Sequence, residues 1–290
     1  MKDTSIRTIG PDEFPLLLRE IVDPPKQLHI QGTIPPDDYK FLAVVGSRKY
    51  TSYGKQACEK LISGLRGQKI CIVSGLALGI DAIAHKVALD AGLPTIAIPG
   101  SGIGRDVLYP ATNRGLADSI ISAGGALISE FENDFHATNW SFPQRNRIMA
   151  GFSHAILVVE AEQKSGTLIT ARLAVEYNRD VLVVPGSIFS STSTGPHLFL
   201  RIGATPITKS EDILEVLGLD APKQLDMTVL YTDCTDNEML CIKILQEGPL
   251  SRNDLIAKTG LRISEASATL SLLEIKDLIK ETMGEIRINI

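Results

Sequence analysis

Residues 139–170 read NWSFPQRNRIMAGFSHAILVVEAEQKSGTLIT, and the centre of this stretch decides the fold. His154-Ala-Ile-Leu-Val-Val-Glu160 is a short apolar run that closes on an acid. Such a run reads as a strand buried on both faces, as in a parallel sheet. Lys164-Ser165-Gly166-Thr167 follows, small and polar, and Leu168 to Tyr177 reads helical. A loop that leaves a strand's carboxyl end and feeds a helix offers free N–H groups to an anion. The Arg145-Asn146-Arg147 cluster adds positive charge nearby. The stretch is therefore expected to form one wall of a phosphate-binding crevice.

Working outward, the same pattern recurs. Apolar strands are expected at Phe41–Val45, Ile70–Val73, Thr95–Ile98, Ala126–Ser129 and Val181–Val184, with an edge strand at Ala204–Ile207, where Pro206 suits an edge. Helical segments such as Ser52–Leu65 separate them. Alternating strands and helices give an α/β, doubly wound, mostly parallel sheet over residues 41–218, whose ligands bind outside the carboxyl ends of the strands. Residues 1–40 are rich in proline and are expected to form an arm on this domain, helical only over Glu13–Val22. Residues 219–236 read as a linker. In residues 237–290, three helical patterns precede two short strands around Met283-Gly284, which suggests a small winged helix-turn-helix domain.

Composition bounds the function. The 290 residues are 44% hydrophobic and 22% charged, with net charge -5. A pI near 5.6 argues against a surface that grips nucleic acid everywhere, but leaves room for a local basic groove. Cys58, Cys71, Cys234 and Cys241 lack zinc-type spacing. No secretory signal or membrane-length apolar run is evident, so a reducing cytoplasm is expected.

Five strand ends carry small polar or basic loops: Gly46-Ser47-Arg48, Ser74-Gly75, Gly100-Ser101-Gly102-Ile103-Gly104, Lys164–Thr167 and Gly186-Ser187. Together they suggest a phosphate-binding rim, with glycines for close backbone approach and serine hydroxyls as donors. Arg48, Arg105, Arg114, Arg145, Arg147 and Lys164 fall in or just after these loops, and an arginine can grip a phosphate with two parallel hydrogen bonds. Trp140 and Phe142 read either as packed aromatics or as platforms on which a base stacks. Neither Gly-x-Gly-x-x-Gly nor Gly-x-x-x-x-Gly-Lys-Ser/Thr is present, which argues against dinucleotide binding and P-loop ATP hydrolysis. Asp81 and His85 lie one helical turn apart; they read as a turn-orienting acid and a core histidine rather than a catalytic pair.

Six motifs carry a resemblance: Val45-Gly-Ser-Arg48; Ser74-Gly-Leu-Ala-Leu-Gly-Ile-Asp81 with Ala84-His85; Gly102-Ile-Gly-Arg-Asp106 with Tyr109-Pro110; Phe142-Pro-Gln-Arg-Asn-Arg147; Ser165-Gly-Thr167 with Thr170-Ala171; and Val184-Pro-Gly-Ser187. In this order over residues 10–217 they resemble the DNA-processing protein A (DprA, also called Smf) family. The resemblance implies an extended Rossmann-like fold, a homodimer, single-stranded DNA binding, and loading of the recombinase RecA during natural transformation. It implies no catalysis, cofactor, metal or membrane contact. Residue by residue, Arg48 matches an arginine the family uses on DNA. Phe142, Arg145, Asn146 and Arg147 match its aromatic and basic pocket. Ser165, Gly166 and Thr167 match the turn that lines it, and Arg114 falls near a further basic position. Many relatives carry a small helical domain ahead of the Rossmann-like part; with about 40 residues before Phe41, it is not expected here. The expected recognition helix, Ile263–Ile275, has no Lys or Arg, which favours contact with protein over the major groove.

Two rival readings remain. One is a nucleotide phosphoribohydrolase of the Lonely Guy type, although Pro99–Gly104 lacks that group's threonine and glutamate. The other is a transcription regulator that reads duplex DNA through the winged helix.

Overall fold

A computed structural model describes residues 5–163, 165–220, 234–246, 248–276, 278–282 and 284–288. Lys164, Met283 and residues 221–233 of the expected linker lie outside the described residues. The chain divides into two compact units, Met1–Ala221 and Pro222–Ile290.

The first unit is built on a nine-stranded sheet. Its strands are β1 (Ile6–Ile9), β2 (Leu28–Gly32), β3 (Lys40–Val45), β4 (Ile70–Ser74), β5 (Thr95–Ala97), β6 (Ala126–Ser129), β7 (Ala155–Val158), β8 (Asp180–Val183) and β9 (Thr205–Pro206). Its helices are α1 (Leu16–Arg19), α2 (Ser52–Ser63), α3 (Ile80–Asp90), α4 (Arg114–Ser122), α5 (Ser141–Phe152), α6 (Thr167–Glu176), α7 (Thr194–Leu200) and α8 (Ser210–Val216). The spatial order is β1-β2-β6-β5-β4-β3-β7-β8-β9. Strands from β6 to β9 in this order run parallel, and β2 and β1 extend the sheet antiparallel.

Residues 6–32 thus differ from the expected arm: they supply two strands of the main sheet. Leu28 and Ile30 are fully buried there. Helix there is limited to a 3-10 turn at Pro11–Glu13 and the one-turn α1, with Pro11 and Pro15 at their starts.

Helices cover both faces of the sheet, as parallel strands require. Phe41, Ala43 and Val45 of β3 point to one face, packed with Phe152 of α5 and Leu168 of α6. Leu42 and Val44 point to the other, packed with Leu61 and Ile62 of α2 and Ile80 and Ile83 of α3. Each fully buried side chain of this size contributes about 1.5–3 kcal/mol relative to exposure. Phe41 and Phe152 meet edge to face at 5.3 Å.

The chain lays down β3 to β6 on one side, then returns to place β7 on the other side of β3. The carboxyl ends of β3 and β7 therefore flank the topological switch point, where a doubly wound sheet opens a crevice. Glu160, just beyond β7, braces that point. It is buried, and accepts hydrogen bonds from Thr51 N at 2.9 Å, Thr51 Oγ1 at 2.6 Å and Thr192 Oγ1 at 3.0 Å. Thr51 Oγ1 in turn accepts from Gly54 N and caps α2. These donors make a buried acid affordable and tie α2 and the segment after β8 to β7.

The second unit contains α9 (Asp236–Gln246), β10 (Leu250–Ser251), α10 (Arg252–Thr259), α11 (Ile263–Ile275), β11 (Ile279–Thr282) and β12 (Glu285–Ile288). Its small sheet has the order β10-β12-β11, and Leu255, Leu270, Leu273 and Ile286 fill its core. Three helices and a wing make this a winged helix. Among the described residues no helix is long and apolar enough to cross a membrane.

Two histidines make the first unit acid-sensitive. Burial, aided by the charge of Arg145, pulls His85 down to about 3. Burial, with Lys40 and Arg179 nearby, pulls His154 down to about 4. The unfolded chain therefore binds more protons than the folded one between those values and about 6.5, so stability falls as pH drops through that window. His154 Nδ1 accepts from Phe41 N at 3.0 Å, a bond that an asparagine side chain can imitate. We expect urea midpoints of the parent to fall more steeply than those of His154→Asn between pH 7.5 and 5. Parallel midpoints would rule out His154 as a contributor.

Candidate nucleic-acid interface

A cleft of about 640 Å³ opens at the switch point. The loop after β3 forms one wall, and the first turns of α5 and α6 form the others. Of the expected residues, the cleft brings together Gly46, Ser47, Arg48, Phe142, Arg145, Asn146, Ser165, Gly166 and Thr167.

The β3 loop is shaped by packing. A Cβ on Gly46 would lie 2.6 Å from the Ile80 side chain, so only glycine lets the loop rest on α3. Ser47 O accepts from Ile80 N, and Ser47 Oγ bonds Lys49 N and O within the loop. Arg48 is thereby aimed across the cleft mouth, with its guanidinium 5.3 Å from the centre of the Phe142 ring. This is cation–π distance. Phe142 is closely flanked: a Cβ on Gly100 would lie 2.5 Å from its ring, and the Tyr109 ring is 5.8 Å away. The ring thus holds Arg48 in place, and the guanidinium plane is itself a surface for a base.

At α6, Thr167 Oγ1 donates to Gly46 O at 3.1 Å and joins the two walls. The amides of Thr167, Leu168 and Ile169 are already paired, with Ser165 Oγ, Ser165 O and Gly166 O. The expected row of free N–H groups is therefore largely closed, and α6 contributes mainly its dipole.

Helix α5, with Pro143 in its first turn, was not among the expected helices. Pro143 sits at the third helical position, where a missing N–H costs nothing. The helix sends Arg145 and Arg147, two residues apart, in different directions. Arg145 is 5% exposed and points inward. Its Nη1 donates to Gly75 O at 2.7 Å and to Ile98 O, and its Nε to Asn146 Oδ1 at 3.2 Å. Burial lowers its pKa to about 10, which still leaves it charged at neutral pH. Asp81 is buried beside it and accepts from Gly75 N at 3.1 Å. Burial pushes that carboxyl up, and Arg145, the amides of Ala77 and Gly75, and Arg48 pull it back. Arg145 is therefore a positioning residue that ties the ends of β4 and β5, not an open phosphate clamp. Arg147 faces elsewhere, paired with the Glu130 carboxylate and Asp23.

Among the described residues, the other expected ones do not line the cleft. Arg105 is paired with Asp118, and Arg114 donates to Asp106 O. Ser74 is buried and donates to Val44 O; Gly75 lies between Arg145 and Asp81. In the glycine-rich loop, Ser101 is buried, and a Cβ on Gly102 would meet Glu132 O at 2.1 Å. Those glycines serve loop-on-loop packing, with Gly102 N and Gly104 N bonded to Phe135 O and Asn133 O. Gly186 O accepts from His197, and Ser187 Oγ bonds Phe189 N. Trp140 packs edge-on against Phe131 and Phe135, outside the cleft lining, and keeps 55% exposure. Lys49, Asn139 and Glu162 line the cleft and were not expected there. Lys49 carries a sequence signal, as it directly follows Arg48. Asp81 and His85 match their structural reading: His85 Nδ1 lies 2.7 Å from Thr95 Oγ1, inside the core. Among the described residues, no group of three or more His, Cys, Asp or Glu side chains is placed to hold a metal.

Comparison with known proteins identifies the family. A family model described as DNA recombination-mediator protein A matches residues 5–218, and one described as the DprA winged helix domain matches residues 236–285. Protein Smf of Escherichia coli K12 is 41% identical over 216 residues, which cover 72% of this chain. The match spans 57% of that protein's length. DNA processing protein DprA of Streptococcus pneumoniae is 41% identical over 203 residues, 70% of this chain and 71% of that one. The X-ray structure of the S. pneumoniae protein superposes with a TM-score of 0.68 at 38% identity, covering 72% of this chain and 74% of that one. A structure of the Helicobacter pylori protein, reported for its single-stranded DNA binding mode, has a TM-score of 0.64 at 30% identity, covering 74% and 96%. With its fold, its motifs and the span of the match in agreement, the chain belongs to the DNA recombination-mediator protein A family.

Proposed function

We propose that this protein is a single-stranded-DNA-binding recombination mediator whose DNA lies across the switch-point cleft. The observation that carries the reading is Arg48, held over Phe142 by a rigid strand-end loop and facing the start of α6. A guanidinium fixed beside an aromatic ring suits a backbone phosphate next to an unstacked base. The H. pylori relative, reported for single-stranded DNA binding, supports the reading.

Family membership further leads us to infer a homodimer that acts in the cytoplasm and passes its DNA to RecA during transformation. Two joined clefts would raise avidity for one strand. A molar mass near 31.4 kDa in light scattering, the mass of one chain, would count against the dimer. Failure to speed RecA filament formation on coated strands would count against the hand-over.

The rivals fare worse on particular residues. A phosphoribohydrolase needs a phosphate cradle at Pro99–Gly104, but Gly102 N and Gly104 N are bonded to the neighbouring loop. A duplex-reading regulator needs donors on α11, which has no Lys or Arg, while nearby Arg252 is paired with Glu274 and Glu281.

Two arginines separate contact from support. Arg48→Ala is expected to melt like the parent and to bind every oligo-dT more weakly. Its dependence of log affinity on log salt becomes shallower by about 0.7, the increment for one phosphate on a single strand. Arg145→Met removes charge-assisted bonds to Gly75 O and Ile98 O and leaves Asp81 without its counter-charge. It is expected to cost on the order of 3 kcal/mol of stability, roughly 6–12 °C in Tm. Normal melting with a shallower salt slope in Arg145→Met would instead make it a phosphate ligand.

A chain ended after Gly218 is expected to keep the parent's affinity for oligo-dT, because every residue assigned here precedes it. A folded truncation that no longer binds would move the site to the winged helix.

A further inference from the structure

Beside the cleft lies a second, much smaller depression whose lining includes Arg48, Gly75, Ala77, Leu78, Tyr109 and Phe142. Arg48, Ala77 and Phe142 line both hollows, so the Arg48–Phe142 stack is the ridge that divides them. The depression holds only about 20 Å³, too little to enclose a base; a base would lie on it.

Two of its apolar side chains, Leu78 and Tyr109, are held outward at a cost. Leu78 is 50% exposed and Tyr109 is 49% exposed. Leu78 sits in a loop that departs from ordinary backbone on both sides. Leu76 has a left-handed φ of 58°, rare for a residue with a Cβ, and Gly79 has φ 87°. The buried Asn113 serves this loop, and its Nδ2 donates to Leu76 O at 2.8 Å and Ala77 O at 3.3 Å. A Cβ on Gly79 would meet Ser47 O at 2.3 Å, so the Leu78 loop and the Arg48 loop are locked together. Tyr109 is held from the other side by a hydrogen bond that its backbone N–H donates to the buried Ser101 Oγ at 3.2 Å. Among the described residues the Tyr109 hydroxyl has no hydrogen-bond partner. A strained loop and two buried polar groups thus hold an exposed leucine and an exposed tyrosine beside the arginine assigned to phosphate. Phe142 is the poorer stacking surface, since Arg48, Gly100 and Tyr109 already crowd it.

We propose that Tyr109 and Leu78 form a second nucleobase subsite, across the Arg48–Phe142 ridge from the main cleft. The inference rests on the single-stranded DNA reading above. Consecutive bases then lie on opposite sides of the ridge, and Arg48 holds the phosphate between them. Recognition is by stacking and apolar contact, so it tolerates any base.

The test is fluorescence anisotropy with labelled oligo-dT and with an abasic oligonucleotide of the same length. Tyr109→Ala is expected to weaken oligo-dT binding by roughly 5- to 150-fold, the range for one lost base stack. Tyr109→Phe, which keeps the ring, should restore most of that loss. The abasic strand should bind Tyr109→Ala and the parent alike. Leu78→Ala, which leaves the aromatic cluster intact, should weaken oligo-dT in the same direction and decides the matter if Tyr109→Ala does not fold. Parent-like binding of oligo-dT by both alanine variants overturns the subsite. An equal loss on both probes also overturns it, since that reports a disturbed loop. Arg48→Ala in the same series separates the two claims. If it binds as the parent does, the cleft reading itself fails; if it alone weakens binding, only the second subsite is lost.

Discussion

The buried guanidinium of Arg145 is the constraint on which the site depends. Parallel strands end in carbonyls that the sheet no longer pairs, and at a switch point those carbonyls sit beside a cleft. Arg145 crosses from α5 to take Gly75 O and Ile98 O, the ends of β4 and β5. Its charge is offset by Asp81, which holds the amide that belongs to the same turn. One ion pair's worth of charge therefore fixes the turn from which the Leu76–Gly79 loop departs. Remove it, and the backbone polar groups at the centre of the fold lose their partners at once. The loop bearing Arg48 depends on this frame, because Gly79 and Ile80 pack directly on Ser47 and Gly46.

Much of this was legible in the sequence. The parallel strands announce themselves as apolar runs bounded by small residues, and the bounds of β3, β4 and β6 fall within a residue of expectation. Family motifs located Gly46-Ser47-Arg48 and Ser165-Gly166-Thr167, which the fold brings to one cleft. Two strands were not legible. In β1 and β2 the runs are short, polar residues interrupt them, and prolines surround them. Their place is set by pairing with β6 and with each other, a long-range choice that local pattern does not encode.

The arginines show a different limit. Arg105, Arg114, Arg145 and Arg147 all read as phosphate ligands, because position after a loop says nothing about a side chain's direction. Helical phase turns Arg145 inward and Arg147 toward Glu130, while Arg105 and Arg114 meet acceptors of their own. The glycine-rich loop misleads for a related reason. Glycine permits close approach by any neighbour, and for Gly102 and Gly104 that neighbour is the loop after β6. Sequence shows which groups are able to bind an anion; the fold decides which have already been used.

That accounting bears on how an acidic protein can hold DNA. Of the cations expected to grip phosphate, Arg48 is the one the fold leaves facing the cleft with no acid paired to it among the described residues, and Lys49 stands beside it. Two such charges among the described residues would release few counterions, so on the proposed reading phosphate contacts alone would give weak binding with a modest salt dependence. The shortfall has to come from elsewhere. Stacking supplies about 1–3 kcal/mol per base and is little affected by salt. Joining two clefts in one assembly multiplies affinity without further positive charge. A net charge of -5 is then no obstacle. On the proposed reading, strand would be held where bases are free to stack, and duplex, whose bases are already stacked, would gain nothing there.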